Sequence, residues 1–143
     1  MLQTVCTNYR LNARLYNQET KLFKTLENKL GTHYIIDACE SDADLLNDKD
    51  FIMTSLREAI IQSNATLMDE ISIEFTPQGI TAVCLLSESH LSIHTWPEKK
   101  YAAIDIFTCG DHCHPINACD YLIRAFNSIK PKVKIIPRGI DIN

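Results

Sequence analysis

Residues 80–109 read ITAVCLLSESHLSIHTWPEKKYAAIDIFTC. Three apolar or alternating runs, ITAVCLL, HLSIHTW and YAAIDIFTC, are separated by two short polar breaks, SES and PEKK. Ile93, Thr95 and the following Trp-Pro favour strand over helix for the middle run. The choice has chemical consequences. On a helix, His90 and His94 would lie one turn apart and could share a metal ion. On a strand they lie roughly 13 Å apart, at about 3.3 Å per residue, and one ion cannot bridge them. Alternation then sorts the side chains. Ser89, Leu91, Ile93 and Thr95 share one face; His90, Ser92, His94 and Trp96 share the other. The second face has no aliphatic residue, which suits either open solvent or a polar pocket. The run at 80–86 is apolar enough for burial on both faces.

Outward from this stretch, HYIIDAC at 33–39 predicts a first strand. FIMTSLREAIIQSN at 51–64 places Ile52, Leu56, Ile60 and Ile61 on one helical stripe. TLMDEISIEF at 66–75 predicts a strand, and Thr76-Pro77-Gln78-Gly79 a turn. Pro115 suits the first turn of a helix running to about Ile129. KVKIIPRG closes the chain with a last strand. The order β-α-β-β-β-β-α-β predicts an α+β two-layer sandwich: an antiparallel sheet with two helices on one face. Before it, residues 1–30 carry Leu15, Leu22, Phe23, Leu26 and Leu30 at helical spacing, with Gly31 as the stop. They read as an N-terminal helical extension to a single domain at 31–143.

Composition narrows the function. The chain has 143 residues, 45% of them apolar and 22% charged, and a net charge of −4. The absence of a basic block argues against nucleic-acid binding. No apolar run approaches the ~20 residues of a membrane span. The first residues are too polar for a signal peptide, which predicts a cytoplasmic protein whose six cysteines are free thiols. Cys39 and Cys84, set in apolar runs, read as small core residues. CGDHCH at 109–114 has a metal-like look, but no second Cys/His pair at zinc-finger spacing accompanies it, and no metal site is expected.

Glu88-Ser89 permits another chemistry. A serine hydroxyl can attack the carbonyl carbon of the residue before it and convert the amide to an ester. β-Elimination then cuts the chain and leaves dehydroalanine, which hydrolyses to a pyruvoyl group. The reaction needs a proton carrier and donors for the oxyanion. His94 and Cys109 are the candidates for proton transfer.

The segment SESHLSIHTWPEKKYAAIDIFTCGD, Ser87 to Asp111, resembles the signature of the prokaryotic S-adenosylmethionine decarboxylase proenzymes. Gly31-Thr32-His33, Phe75-Thr76-Pro77-Gln78-Gly79 and Arg138-Gly139 are similar to further motifs of that family, so the resemblance covers about residues 31–140. It implies self-cleavage into 1–88 and 89–143, between Glu88 and Ser89, with Ser89 becoming the pyruvoyl group. The pyruvoyl ketone would take the substrate amine as a Schiff base and act as electron sink, with no diffusible cofactor. It further implies that His94 handles protons in processing and that Cys109 is the proton donor in decarboxylation. Thr81 falls where the family usually has a serine that assists processing; it keeps the hydroxyl on a stiffer, β-branched side chain.

For S-adenosylmethionine, a precursor of polyamines such as spermidine, Phe75 and Trp96 would stack on adenine and Glu98 would accept from the ribose hydroxyls. The chain departs from the family in having Ile73-Glu74 before that phenylalanine, without the usual nearby histidine. Two alternatives follow. A basic amino acid, ornithine or arginine, would find an acid in Glu70 or Glu74. An unprocessed, inactive partner subunit would stay uncut. The resemblance also implies a homodimer of processed units, the second chain covering the face that bears His90 and His94.

Overall fold

The computed structural model describes residues 13–22 and 28–142. Its elements run α1 (13–22), β1 (Gly31–Cys39), α2 (Lys49–Gln62), β2 (Leu67–Glu74), β3 (Ile80–Leu86), β4 (Ser89–Trp96), β5 (Tyr101–Cys109), α3 (Pro115–Ala125) and β6 (Lys132–Arg138). The strands form one antiparallel sheet in the order β2-β3-β4-β5-β1-β6. This is the α+β arrangement expected from the sequence, with α1 as a third helix. No helix among the described residues is long and apolar enough to cross a membrane.

Period-two alternation builds the core. Tyr34, Ile36, Ala38, Ile80, Ala82, Cys84, Leu91, Ile93, Ala102, Ile104 and Ile106 are buried on one sheet face. α2 supplies Ile52, Leu56, Ala59 and Ile60 against it, and α3 supplies Ala118, Cys119, Leu122 and Ile123. The Asp48 side chain caps α2 by accepting the Phe51 N–H at 2.9 Å. Pro115 sits in the first turn of α3, where its missing N–H leaves no intrahelical bond unmade. α3 ends at Ala125, short of the expected Ile129, because Asn127 turns into the left-handed region at φ 52°.

Three expectations need correction. The run at 80–86 is buried on one face only: Val83 and Leu85 point to the bare side of the sheet, 37% and 55% exposed. An all-apolar sequence cannot distinguish a face packed on helices from one left bare within a single chain. Cys39 likewise lies on the open side and is half-buried. Gly31 does not stop a helix; it opens β1, opposite Cys109. A Cβ there would come within 2.7 Å of the Phe107 ring and 2.8 Å of the Thr108 carbonyl. Glycine is required by that close approach. Phe23 and Leu26 lie outside the described residues, and Leu30 is outside the helix and exposed.

α1 docks on the helix side of the sheet. Leu15 is buried in the common core, and the Tyr34 hydroxyl, itself buried, donates to Glu19 Oε1 at 2.6 Å. Burial raises the pKa of Glu19, the Tyr34 hydrogen bond offsetting part of the rise. The docked helix therefore holds the Glu19 proton more firmly than the undocked one does. Docking is strongest below the ordinary carboxyl pKa and weakens as pH rises through the raised value. Amide hydrogen-exchange protection over 13–22, corrected for intrinsic rates, is expected to fall across that window, and Glu19→Gln is expected to abolish the pH dependence.

Candidate active site

Ser89 opens β4 directly after a two-residue turn, Ser87-Glu88. That turn is clamped from both sides. The Ser87 N–H donates to the Thr66 carbonyl at 3.1 Å, and the Cys109 N–H donates to the Glu88 carbonyl at 3.1 Å. The Glu88 side chain, only 8% exposed, accepts the Thr66 N–H on Oε2 at 3.0 Å and meets His112 Nε2 on Oε1 at 3.1 Å. Burial pushes its pKa up, but hydrogen bonds from the Thr66 N–H, His112 and Ser87 outweigh that and hold it at about 2. The carbonyl between Glu88 and Ser89 is thus fixed and polarised by a main-chain donor. A donor so placed also stabilises an oxyanion formed at that carbonyl. Cys109 lies opposite Gly31, whose missing side chain makes room for it: a Cβ at 31 would stand 3.2 Å from Cys109 Sγ.

The other sequence-selected residues gather elsewhere on the sheet. Thr81 Oγ1 and His94 Nδ1 are hydrogen-bonded at 2.9 Å across β3 and β4. The His94 and Trp96 rings lie 6.4 Å apart, and Trp96 and Tyr101 5.4 Å apart. Gln78 Nε2 donates to Glu98 Oε2 at 3.0 Å, tying the β2–β3 turn to the turn after β4. Phe75 stands 53% exposed at the edge of that turn, its N–H on the Gly79 carbonyl at 2.8 Å. Tyr101 donates to Asp37 at 2.6 Å, and burial together with that carboxylate pushes its pKa up to about 12.

The chain therefore carries two clusters rather than one. Glu88, Ser89 and Cys109 form the first; Thr81, His94, Trp96, Phe75 and Glu98 form the second. Five residue steps along the strand separate Ser89 from His94, about 16 Å at ~3.3 Å each.

Between the clusters lies a group to which the sequence analysis assigned no role, although His33 and Arg138 stand in two of its motifs. His33 Nε2 donates to Asp105 Oδ1 at 2.8 Å, and Arg138 Nη1 donates to His33 Nδ1 at 3.3 Å. Phe107 sits between the His33 and His90 rings, 5.7 and 5.9 Å from them, with the Arg138 guanidinium 5.5 Å from its centre. Alternation counted back from Cys109 would have placed Phe107 and Asp105 on this face. The Cys109 N–H and the Thr66–Glu88 clamp had no such signal, since both depend on contacts distant in sequence.

Glu70 and Glu74 belong to neither cluster. They lie toward α2 and pair with its cations, Glu70 Oε2 with Arg57 Nε at 3.0 Å and Glu74 with Lys49 at 3.4 Å. The acids that motivated a cationic substrate are already neutralised, on the far side of the sheet from His94. A cavity of about 850 Å³ between α1, the start of β1 and the 110–117 segment also opens on the helix side. Its lining adjoins the first cluster at Gly31, Thr108 and Gly110, which surround Cys109.

A sequence model of the S-adenosylmethionine decarboxylase family matches residues 32–139. The S-adenosylmethionine decarboxylase proenzyme of Clostridium kluyveri is 42% identical over 113 residues, covering 79% of this chain and 90% of the relative. That of Prochlorococcus marinus is 43% identical over 113 residues, covering 79% and 93%. Among solved structures, the adenosylmethionine decarboxylase of Aquifex aeolicus superposes with a TM-score of 0.73 at 37% identity, over 79% of this chain and 93% of that one. With the matched region spanning all six strands and both clusters, the chain belongs to the S-adenosylmethionine decarboxylase family.

Proposed function

We propose that the chain is a self-processing, pyruvoyl-dependent decarboxylase that acts on S-adenosylmethionine and so supplies an aminopropyl donor for polyamine synthesis. The observation that carries this reading is the Cys109 N–H on the Glu88 carbonyl, immediately before Ser89, in a member of that family. The Ser89 hydroxyl attacks the Glu88 carbonyl carbon, and the Cys109 N–H stabilises the oxyanion. Loss of the Ser89 α-proton expels the Glu88 carboxylate and cuts the chain. His94, held by Thr81, carries protons in these steps. Water adds to the dehydroalanine left at residue 89 and ammonia leaves, giving the pyruvoyl group that supplies the electron sink for decarboxylation. Cys109 then gives a proton to the substrate α-carbon. Phe75 and Trp96 flank the adenine, and Glu98, steadied by Gln78, accepts from the ribose hydroxyls.

The ~16 Å between the clusters is bridged by a second copy. The bare sheet face carries Ile71, Ile73, Val83, Leu85, Trp96 and Ile136, 37–66% exposed, an apolar area that a partner would cover. A two-fold related copy lying across this face sets the Ser89–Cys109 end of one protomer against the Thr81–His94 end of the other. Each site then takes half its residues from each chain.

Mass analysis of the purified protein is expected to give two pieces, 1–88 and 89–143, and a single piece for Ser89→Ala. Reductive trapping with S-adenosylmethionine should add mass to the second piece, and trapping with ornithine or arginine should not. An uncut natural chain would sink self-processing. His94→Ala alone should slow cutting by about 10²–10⁴-fold. Mixed with Ser89→Ala, its cutting should recover, because that partner supplies the missing histidine; no recovery on mixing would refute the shared site.

A further inference from the structure

The proposed reaction uses Cys109 alone of CGDHCH, yet the fold brings a third donor to it. A Glu88 carboxylate oxygen, a His112 ring nitrogen and Cys113 Sγ all lie within 4.8 Å of one another. They come from two separate turns, and each is held in place. Glu88 is fixed by the Thr66 N–H. The His112 carbonyl accepts from Asn64 Nδ2 at 3.0 Å, and the His114 N–H donates to the Ser63 carbonyl at 2.8 Å. Gly110, at φ 86°, leaves space that the His112 ring occupies: a Cβ there would stand 2.9 Å from the ring. Cys113 and the Glu88 side chain are 9% and 8% exposed, whereas the His112 side chain is 56% exposed. Two ligands are therefore sheltered, and the third faces water.

We propose that Glu88, His112 and Cys113 bind one zinc-type divalent cation. The donors are one oxygen, one imidazole nitrogen and one sulfur, a set that selects zinc-like ions over magnesium or calcium, which prefer all-oxygen shells. A carboxylate and a thiolate together balance a divalent charge. Zinc bonds of about 2.0–2.3 Å place tetrahedral ligands some 3.3–3.8 Å apart, so closure from the observed spacing takes shifts of about an ångström. The fourth position faces solvent beside His112 and is left for water. The site contains the residue on the amino side of the proposed cut but does not depend on cutting, and it is tested on an uncut chain.

The probe is Co²⁺, added to reduced, metal-free Ser89→Ala protein and followed by its thiolate-to-metal absorption and tetrahedral visible bands. One equivalent is expected to bind, to be displaced by Zn²⁺, and to resist about a hundredfold excess of Mg²⁺. Adding His112→Ala or Cys113→Ser should weaken binding by at least about tenfold, and adding Cys109→Ser should leave it intact. His112 is exposed, so its variant keeps the fold, and circular dichroism checks both. Absence of a thiolate band would overturn the site, as would a band that survives both ligand variants or disappears with Cys109→Ser.

Discussion

β4 is held in register between β3 and β5 by core residues paired on both sides. Leu91 faces Cys84 and Ile106, and Ile93 faces Ala82 and Ile104, so all six pack beneath the helices together. A slip of one residue would carry His90, Ser92 and His94 into the apolar core and push Leu91 and Ile93 out. Burying three polar side chains without partners is far more costly than any gain from the exchange. The same register pairs Thr81 with His94 and brings Cys109 to the carbonyl that precedes Ser89. Core packing and site geometry are thus set by one choice.

Much of this was legible in the sequence because it depends on short periods. Alternation in HLSIHTW assigned the faces of β4 correctly, and the turn at 76–79 and three of the four stripe residues of α2, Ile52, Leu56 and Ile60, fell where pattern put them; Ile61, 69% exposed, faces away from the core. What stayed hidden depends on distant contacts. Gly31 looks like a helix stop until Phe107 and Thr108 are seen pressed against it. Glu70 and Glu74 look like free acids until Arg57 and Lys49 of α2 are seen beside them. Val83 and Leu85 look like core because nothing in a single chain's sequence marks the boundary of its helix layer. The residues of the two clusters were nameable in advance; their division into two, and the Asp105 and Phe107 side chains between them, were not.

The electrostatics around Glu88 and Glu19 differ in kind. Around Glu88 the fold spends main-chain donors on a carboxylate and a carbonyl, so negative charge is welcome there. Around Glu19 burial outweighs the Tyr34 hydroxyl and the nearby His114 and Lys29, so the same side-chain type has its pKa raised instead. Hydration and hydrogen bonding, not residue identity, separate the two.

The strand order has a topological consequence for a chain cut after Glu88. The first piece would own β1, β2 and β3, and the second β4, β5 and β6. In the sheet these run β2-β3-β4-β5-β1-β6, so β1 of the first piece is wedged between two strands of the second. The pieces are interleaved like fingers of two hands. Parting them would break three ladders, β3 with β4, β5 with β1, and β1 with β6, together with the common core. Losing one peptide bond would therefore create no seam along which the molecule could open. The two products would unfold together or not at all, and the freed residue 89 would remain anchored in mid-sheet by neighbours on both sides.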